Sequence, residues 1–102
     1  MWIHGRTAPV EFPQPIDQVE SFSDVLVVRL RWDNANKRNV YGVDANGVIV
    51  WRIADLPLNT NGDIYLSISK MSESVVRAIS SLGITFDLDP RSGAVLDSFV
   101  SK

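Results

Sequence analysis

Cysteine is absent from this 102-residue chain, and histidine occurs only once, as His4. Without cysteine the chain has no disulfide framework, no thiolate metal site and no cysteine nucleophile. One histidine near the beginning of the chain is a poor basis for a catalytic triad or a metal site, so we interpret His4 as a solvated terminal residue. Because a glycine-rich phosphate loop is also lacking, we expect no cofactor and no metal.

A basic excess is lacking too, since the formal net charge is −2. Nucleic-acid-binding domains normally carry a basic excess, so we expect no nucleic-acid partner. No apolar run approaches the roughly 20 residues that cross a bilayer. Arg6 and Glu11 interrupt the beginning of the chain, which argues against a secretory signal. These absences predict a cytoplasmic protein without a membrane partner.

The length of the chain predicts a single domain over residues 1–102. Hydrophobic residues make up 45% and charged residues 22%, which is the balance of a soluble folded chain. Three prolines near the beginning exclude a helix interior and a central strand there. We therefore interpret residues 1–23 as an irregular lead-in, with an edge strand at 10–12 or a helical turn at 16–22 as local additions.

The residues that carry the hydrophobicity predict an all-β fold. Valine occurs 13 times and isoleucine 8 times, and β-branched side chains suit a pleated sheet better than a helix. Clusters of turn-forming residues separate short apolar runs, which predicts six to seven mainly antiparallel strands. The alternation of side chains within these runs predicts a core of Leu26, Val28, Leu30, Ile49, Trp51, Ile53, Ile64, Leu66, Ile68 and Phe86.

Residues 74–82 fit two structures. The spacing of apolar residues, with Ser74 as a possible N-cap and Gly83 just beyond, predicts one short helix and hence an α+β fold. The alternative is a strand that begins at Val75 and turns at Leu82-Gly83 into the next strand.

Two segments of the chain, residues 40–51 and 84–96, echo each other. Each runs from a strand through an Asp, a short turn and a Gly into another strand, and Gly47 and Gly93 lie 46 residues apart. The pattern resembles the hairpin of quinoprotein-type β-propeller blades, in which Asp opens the turn, Gly closes it and Trp often follows, here as Trp51. Two blades cannot close a propeller, which needs about four.

Over most of residues 12–102 the chain resembles small, uncharacterised bacterial β proteins, some of which look like immunity proteins of toxin systems. The resemblance is carried by Pro15-Ile16, the strand at 25–30, Asn39-Val40-Tyr41 and the two Asp-to-Gly hairpins. It implies a strand at 75–81, which we therefore favour over the helix. The chain departs from the pattern at 80–82, where Ser-Ser-Leu stands in place of a common Asn-Trp pair.

Four arginines, Arg29, Arg31, Arg52 and Arg77, fall in predicted strands, whereas most acidic residues lie in turns or in the lead-in. Together with Tyr65 and two neighbouring serines, at 67 and 69, they are candidates for one polar sheet face. Arginine suits the bidentate capture of carboxylates or phosphates. The alternative is a solvated outer face on which the arginine stems cover apolar surface.

No arrangement of residues predicts an enzyme. Ser67 to Lys70 matches the S-x-x-K string of serine β-lactam enzymes, but on a strand positions 67 and 70 point to opposite faces. Asp87 and Asp89 share a strand face, yet Asp89 has an evident role in its Asp-Pro turn. Residues 59–63 resemble part of a calcium loop that lacks its two essential acidic ligands.

The resemblance and the missing catalytic groups together favour a non-enzymatic bacterial protein that binds another protein. The resemblance implies a toxin domain, neutralised in the cytoplasm, as that partner. The alternative is a small-ligand module for an anion or a sugar, with Trp2, Trp32 and Tyr41 as stacking residues. Association of the chain with itself stays open.

Overall fold

The computed structural model describes residue 12 and residues 14–31, 38–53 and 64–100. Within these ranges the chain forms eight β-strands and no helix. The first sheet consists of β1 (Ile16–Ser21), β2 (Val25–Leu30), β3 (Val40–Asp44) and β4 (Ile49–Arg52). The second sheet consists of β5 (Tyr65–Ser72), β6 (Val75–Ser80), β7 (Ile84–Leu88) and β8 (Val95–Val100).

Both sheets are antiparallel meanders in which each strand pairs with its neighbour in the sequence. The all-β prediction is confirmed, but the strand count of six to seven is too low. The additional strand is β1, which lies inside the segment 1–23 that was expected to be irregular. Its six residues follow the last proline of the lead-in and pair with β2, so the helical turn expected at 16–22 is wrong. Residues 10 and 11 of the expected edge strand lie outside the described residues.

Within residues 74–82 the chain forms the strand β6 (Val75–Ser80) and no helix, as the resemblance implied. Val76 pairs with Leu88 and Ala78 pairs with Phe86, and all four side chains are buried on one face of the second sheet. Gly83 has a φ of 81° in the turn that follows β6. A helix would have carried Val76 and Ala78 to different sides, whereas the strand buries both.

The main hydrophobic core lies between the two sheets. The first sheet contributes Phe22, Val25, Val27, Val40, Trp51 and Ile53, and the second contributes Tyr65, Ile68, Val76, Ala78, Ile84, Phe86 and Leu88. A second cluster covers the opposite face of the first sheet and consists of Leu26, Val28, Leu30, Tyr41 and Val43, with Phe12 and Ile16 packed against it. The two central strands of the first sheet, β2 and β3, are therefore buried on both faces.

Two of the ten predicted core residues, Ile49 and Leu66, are exposed instead. Each stands at a β-bulge, where one strand carries an extra residue and the side-chain alternation shifts. Val50 is the extra residue between the pairs Val43–Ile49 and Gly42–Trp51, so Ile49 points to the other face. Leu66 is itself the extra residue in β5. The other eight predicted core residues are buried.

The hairpins that close the two sheets are built alike. Asp44 Oδ1 accepts the amides of Asn46 and Val48, and Asp89 Oδ1 accepts the amide of Arg91. Gly47 and Gly93 both have a positive φ, of 79° and 74°. Each turn is followed by a bulge in the fourth strand. The structure thus confirms that the two echoing segments form equivalent hairpins.

Because the two hairpins are equivalent, corresponding residues show which face each sheet turns towards the other. Paired residues on neighbouring strands form a row across each sheet. In the first sheet one such row consists of Val27, Gly42 and Trp51, and the corresponding row of the second sheet consists of Arg77, Asp87 and Asp97. The Val27 row faces the second sheet, whereas the Arg77 row lies on the outer face of the second sheet. Equivalent faces of the two sheets therefore point in the same direction, and in the described residues the outer face of the second sheet carries the polar row.

Candidate functional site

The candidate arginines do not gather on one face. Arg29 lies where the sheets meet: its Nε donates to Gln18 Oε1 at 2.8 Å, and that oxygen also accepts the Ile68 amide of β5 at 2.9 Å. Arg52 lies on the opposite side of the first sheet, with its guanidinium 5.2 Å from the Tyr41 ring centroid. The expectation of one shared polar face is therefore wrong.

Two further candidates also lie apart. Arg31 is exposed just beyond β2, and its amide donates to Pro15 O. Tyr65 is buried in the main core against Phe86, because the bulge at Leu66 turns it inward. Of the proposed face, only Arg77 and the serines at 67 and 69 lie on the same side of the second sheet. The binding roles of the exposed arginines stay predictions.

Arg77 is the centre of a charged cluster on the outer face of the second sheet. Its Nε and Nη2 donate to the two carboxylate oxygens of Asp87 at 2.8 and 3.1 Å. Its guanidinium also lies 5.1 Å from the Phe99 ring centroid. The hydrogen bond that Arg77 donates to Asp87 raises the pKa of Arg77 above its already high value, and the negative charges of Asp87 and Asp97 add to this effect. Arg77 is therefore permanently charged and already bound to a carboxylate.

The exposed apolar side chains concentrate on the two fourth strands. Of eleven large exposed apolar side chains in the described ranges, seven belong to the stretches 48–50 and 95–100. The positions are equivalent in the two sheets: Ile49 and Val95 are 41% and 43% exposed, and the bulge residues Val50 and Leu96 are 46% and 54% exposed. We refer to Val48, Ile49, Val50, Val95, Leu96, Phe99 and Val100 as the fourth-strand surface.

Trp51 connects the two halves of this surface. Its Nε1 donates to Pro90 O, in the turn between β7 and β8, at 2.8 Å. Its ring also packs against Gly93 so closely that a β-carbon at Gly93 would lie only 2.7 Å from the nearest carbon of the ring. Because the tryptophan of β4 is seated on the turn that begins β8, the two groups of exposed apolar residues are held in a fixed relation.

Two residues that hold the sheets together were missed in the sequence. Asn39 is fully buried, and its side-chain amide donates to Leu30 O and Tyr65 O while its oxygen accepts the Tyr65 amide. Arg91 donates to the Asp24 carboxylate, to Ser23 Oγ and to Glu73 O, which ties together turns of both sheets. Both residues stand in polar stretches that are typical of loops, and their partners are distant in the chain.

A shallow pocket of about 140 Å³ lies beside the turn between β1 and β2. It is lined by Phe22, Ser23, Asp24, Val25, Leu26, Asp44 and Ala45. Ligand sites commonly have 300–1,000 Å³, and two carboxylates at this one oppose the binding of an anion. Tyr41, the described member of the expected stacking trio, is buried on another face.

The described part of the chain contains no helix that is long and apolar enough to cross a membrane. In the same part, no three His, Cys, Asp or Glu side chains come together as metal ligands would. His4, Trp2, Trp32 and the calcium-like stretch at 59–63 lie outside the described residues.

Comparison with protein families identifies the family of the chain. Residues 3–99 match DUF7957, a domain of unknown function. Because the match covers nearly the whole sequence, the chain belongs to this family. Neither a curated protein nor a solved structure matches the chain.

Proposed function

We propose that this member of the DUF7957 family is a non-enzymatic domain that binds another protein through the fourth-strand surface. The resemblance to bacterial immunity proteins supplies the rest of the proposal: the partner is a toxin domain, which is neutralised in the bacterial cytoplasm. Arginines that remain exposed, such as Arg31 and Arg52, are candidates for ion pairs at the rim of the interface.

The observation that carries the proposal is the concentration of apolar side chains on β8. Five of its six residues are exposed, and four of these five are Val95, Leu96, Phe99 and Val100. Scattered exposed apolar residues need no explanation, but contiguous ones mark interaction sites. An exposed apolar edge strand is moreover an aggregation hazard unless a partner covers it.

The size of the domain is sufficient for this role. A standard interface buries roughly 800 Å² on each partner, which is a modest part of the 5556 Å² that the chain exposes. The pocket beside the turn between β1 and β2 supports the small-ligand alternative less well, because it is small and acidic.

The proposal is tested by co-expression with toxin domains encoded next to the gene. We expect one of them to be neutralised, with restored growth and a complex that survives purification. Val50→Lys and Leu96→Lys should each abolish neutralisation, because either change places a charge in the apolar surface. Met71→Lys is the matched control, since Met71 is equally exposed but lies on β5.

Two results would overturn the proposal. One is neutralisation that survives both substitutions in the fourth-strand surface. The other is the absence of any neutralised toxin together with a small metabolite that stays bound through purification, which would favour the ligand-binding alternative.

A further inference from the structure

We propose that β8 is a site of strand addition, at which the partner extends the second sheet with a segment that carries a lysine or arginine next to Asp97. The inference rests on the proposed function, because β8 forms half of the fourth-strand surface. It specifies how the partner binds: through the backbone of β8 as well as through its side chains.

The register shows which backbone groups of β8 are available. Hydrogen-bonded and non-bonded pairs alternate along an antiparallel ladder. The amide of Asp89 donates to Ala94 O, so the next bonded pair, after the bulge, is Asp87–Asp97. The pair Phe86–Ser98 is then a non-bonded pair, and the N–H and C=O of Ser98 point away from β7.

The equivalent hairpin of the first sheet has the same alternation. There the amide of Asp44 donates to Val48 O, and the amide of Ile53 donates to Val40 O. Gly42–Trp51, which corresponds to Asp87–Asp97, lies midway between these two bonded pairs. By the alternation it is therefore a bonded pair too, and its neighbours on either side are non-bonded pairs. The outward direction of Ser98 therefore follows from a pattern that is seen twice.

The side chain of Asp97 accepts a hydrogen bond from the Ser98 amide that points away from β7. Its Oδ1 accepts the Ser98 N–H at 2.9 Å, in the position that the carbonyl of an added strand would take. Charged side chains and bulges are the usual means of protecting an edge strand, and β8 has both, in Asp97 and Leu96. A partner strand would displace the Asp97 carboxylate from the Ser98 amide, and a lysine or arginine of the partner would then form an ion pair with this carboxylate.

The charges near β8 favour a cationic partner over a second copy of the chain. Arg77 is engaged by Asp87, and no lysine or arginine of the described ranges lies within ion-pair distance of Asp97. Pairing of β8 with β8 of a second copy, centred at Asp97 or Ser98, would bring the two Asp97 carboxylates together on one face. Like charges in such positions are destabilising.

The other sheet edges are less suitable. The edges of β1 and β5 meet each other, since Gln18 accepts the Ile68 amide and Lys70 Nζ donates to Ser21 O at 2.9 Å. The remaining edge strand, β4, has only four residues and a bulge at Val50. In β8, four regular residues follow the bulge.

The first experiment is Ser98→Pro, with Ser98→Ala as its control. Proline is tolerated on an edge strand where the N–H faces outward, so both variants should fold, as thermal unfolding would verify. We expect Ser98→Pro to weaken binding of the neutralised toxin at least about tenfold, the equivalent of one lost hydrogen bond. Ser98→Ala should bind as the native chain does.

This result separates the two proposals. If Leu96→Lys abolishes binding and a folded Ser98→Pro retains it, the protein-binding function stands and strand addition is overturned. If neither change affects binding, the fourth-strand surface itself is wrong.

The second experiment needs no identified partner. A short peptide of alternating valine and threonine with a central lysine is titrated into the labelled protein, and the amide signals of Ser98 and Val100 are followed by NMR. We expect shifts and slowed hydrogen exchange at both amides, and about tenfold weaker binding of the same peptide with glutamate. Asp97→Asn should remove this preference.

Two outcomes would contradict the inference here. Equal binding of both peptides, or binding that leaves the β8 amides unchanged, would overturn it. A concentration-dependent dimer of the native chain that Ser98→Pro dissociates would identify a second copy, and not a cationic partner, as the occupant.

Discussion

The two sheets of this chain have the same plan and use it differently. In the first sheet, the row Val27, Gly42 and Trp51 faces the second sheet and is buried. In the second sheet, the corresponding row is Arg77, Asp87 and Asp97, and it faces outward. The turns, the positive-φ glycines and the bulges are shared. The fold is therefore set by the hairpin features, whereas the three row residues decide whether a sheet can be covered by another sheet.

The comparison also indicates why the outer face of the second sheet is poorly suited to being covered by another sheet. A third sheet placed on the second as the second lies on the first would have to bury two carboxylates and a guanidinium. Burying ionised groups is costly even when they are paired. The four predictions below test how the two sheets differ and how they are held together, from the largest expected effect to the smallest.

Trp51→Ala should lower the free energy of unfolding by about 3–5 kcal/mol, because it removes the largest side chain of the row and its hydrogen bond to Pro90. Urea denaturation measures the effect. The corresponding change in the second sheet, Asp97→Ala, should alter stability by less than about 0.5 kcal/mol. Similar losses for the two variants would show that the rows do not differ as described.

Asn39→Ala should cost about 3 kcal/mol, because it removes three buried hydrogen bonds to the backbone groups of Tyr65 and Leu30. The corresponding position of the second sheet holds Ile84, which needs no such bonds. Asn39→Leu serves as the control for volume. Native stability of Asn39→Leu in thermal unfolding would mean that packing, and not hydrogen bonding, is the role of Asn39.

Gly42→Ala should cost about 1–3 kcal/mol, because a β-carbon there would overlap the indole ring of Trp51. The same substitution in a Trp51→Ala background should cost little, since the ring is gone. This double-mutant cycle, measured by denaturant unfolding, isolates the contact between the two residues. Equal costs in both backgrounds would assign the effect to the backbone of β3 instead.

Arg91→Ala should cost only about 0.5 kcal/mol, because its ion pair with Asp24 is largely exposed. The cost should shrink as salt is added, since salt screens such pairs. Comparison of denaturation midpoints at low and high ionic strength measures this. A large loss that salt does not change would indicate that the bonds to Ser23 and Glu73, and not the charge, hold the turns together.

The fold could be predicted from the sequence to the extent that its signals are local. The Asp-to-Gly turns and the β-branched runs follow from residues that are adjacent in the chain. The local spacing at 74–82 fits a helix as well, and there the resemblance, and not the local signal, predicted the strand. The bulges at Val50 and Leu66 could not be foreseen, because a bulge leaves the composition of a strand unchanged and only shifts its alternation. The errors at Ile49 and Leu66 both have this cause.

The candidate site was less predictable than the fold. The arginines were grouped by their occurrence in strands, but which face each one occupies depends on the register and on which strands meet. The role of Asn39 was not predicted, because its partner Tyr65 lies 26 residues away. The sequence predicts a strand after the second Asp-to-Gly turn, and only the sheet order shows that this strand is an edge.

The meander order of both sheets has a consequence for how the chain folds. Each strand pairs only with its sequence neighbour, so the ladders close short loops and require little loop-closure entropy. All-β proteins fold slowly when their pairings are distant in sequence, and here the strand pairings are local whereas the contacts between the two sheets join distant residues. We therefore expect hairpin formation to be fast and the transfer of Trp51 from water onto the β7–β8 turn to come last.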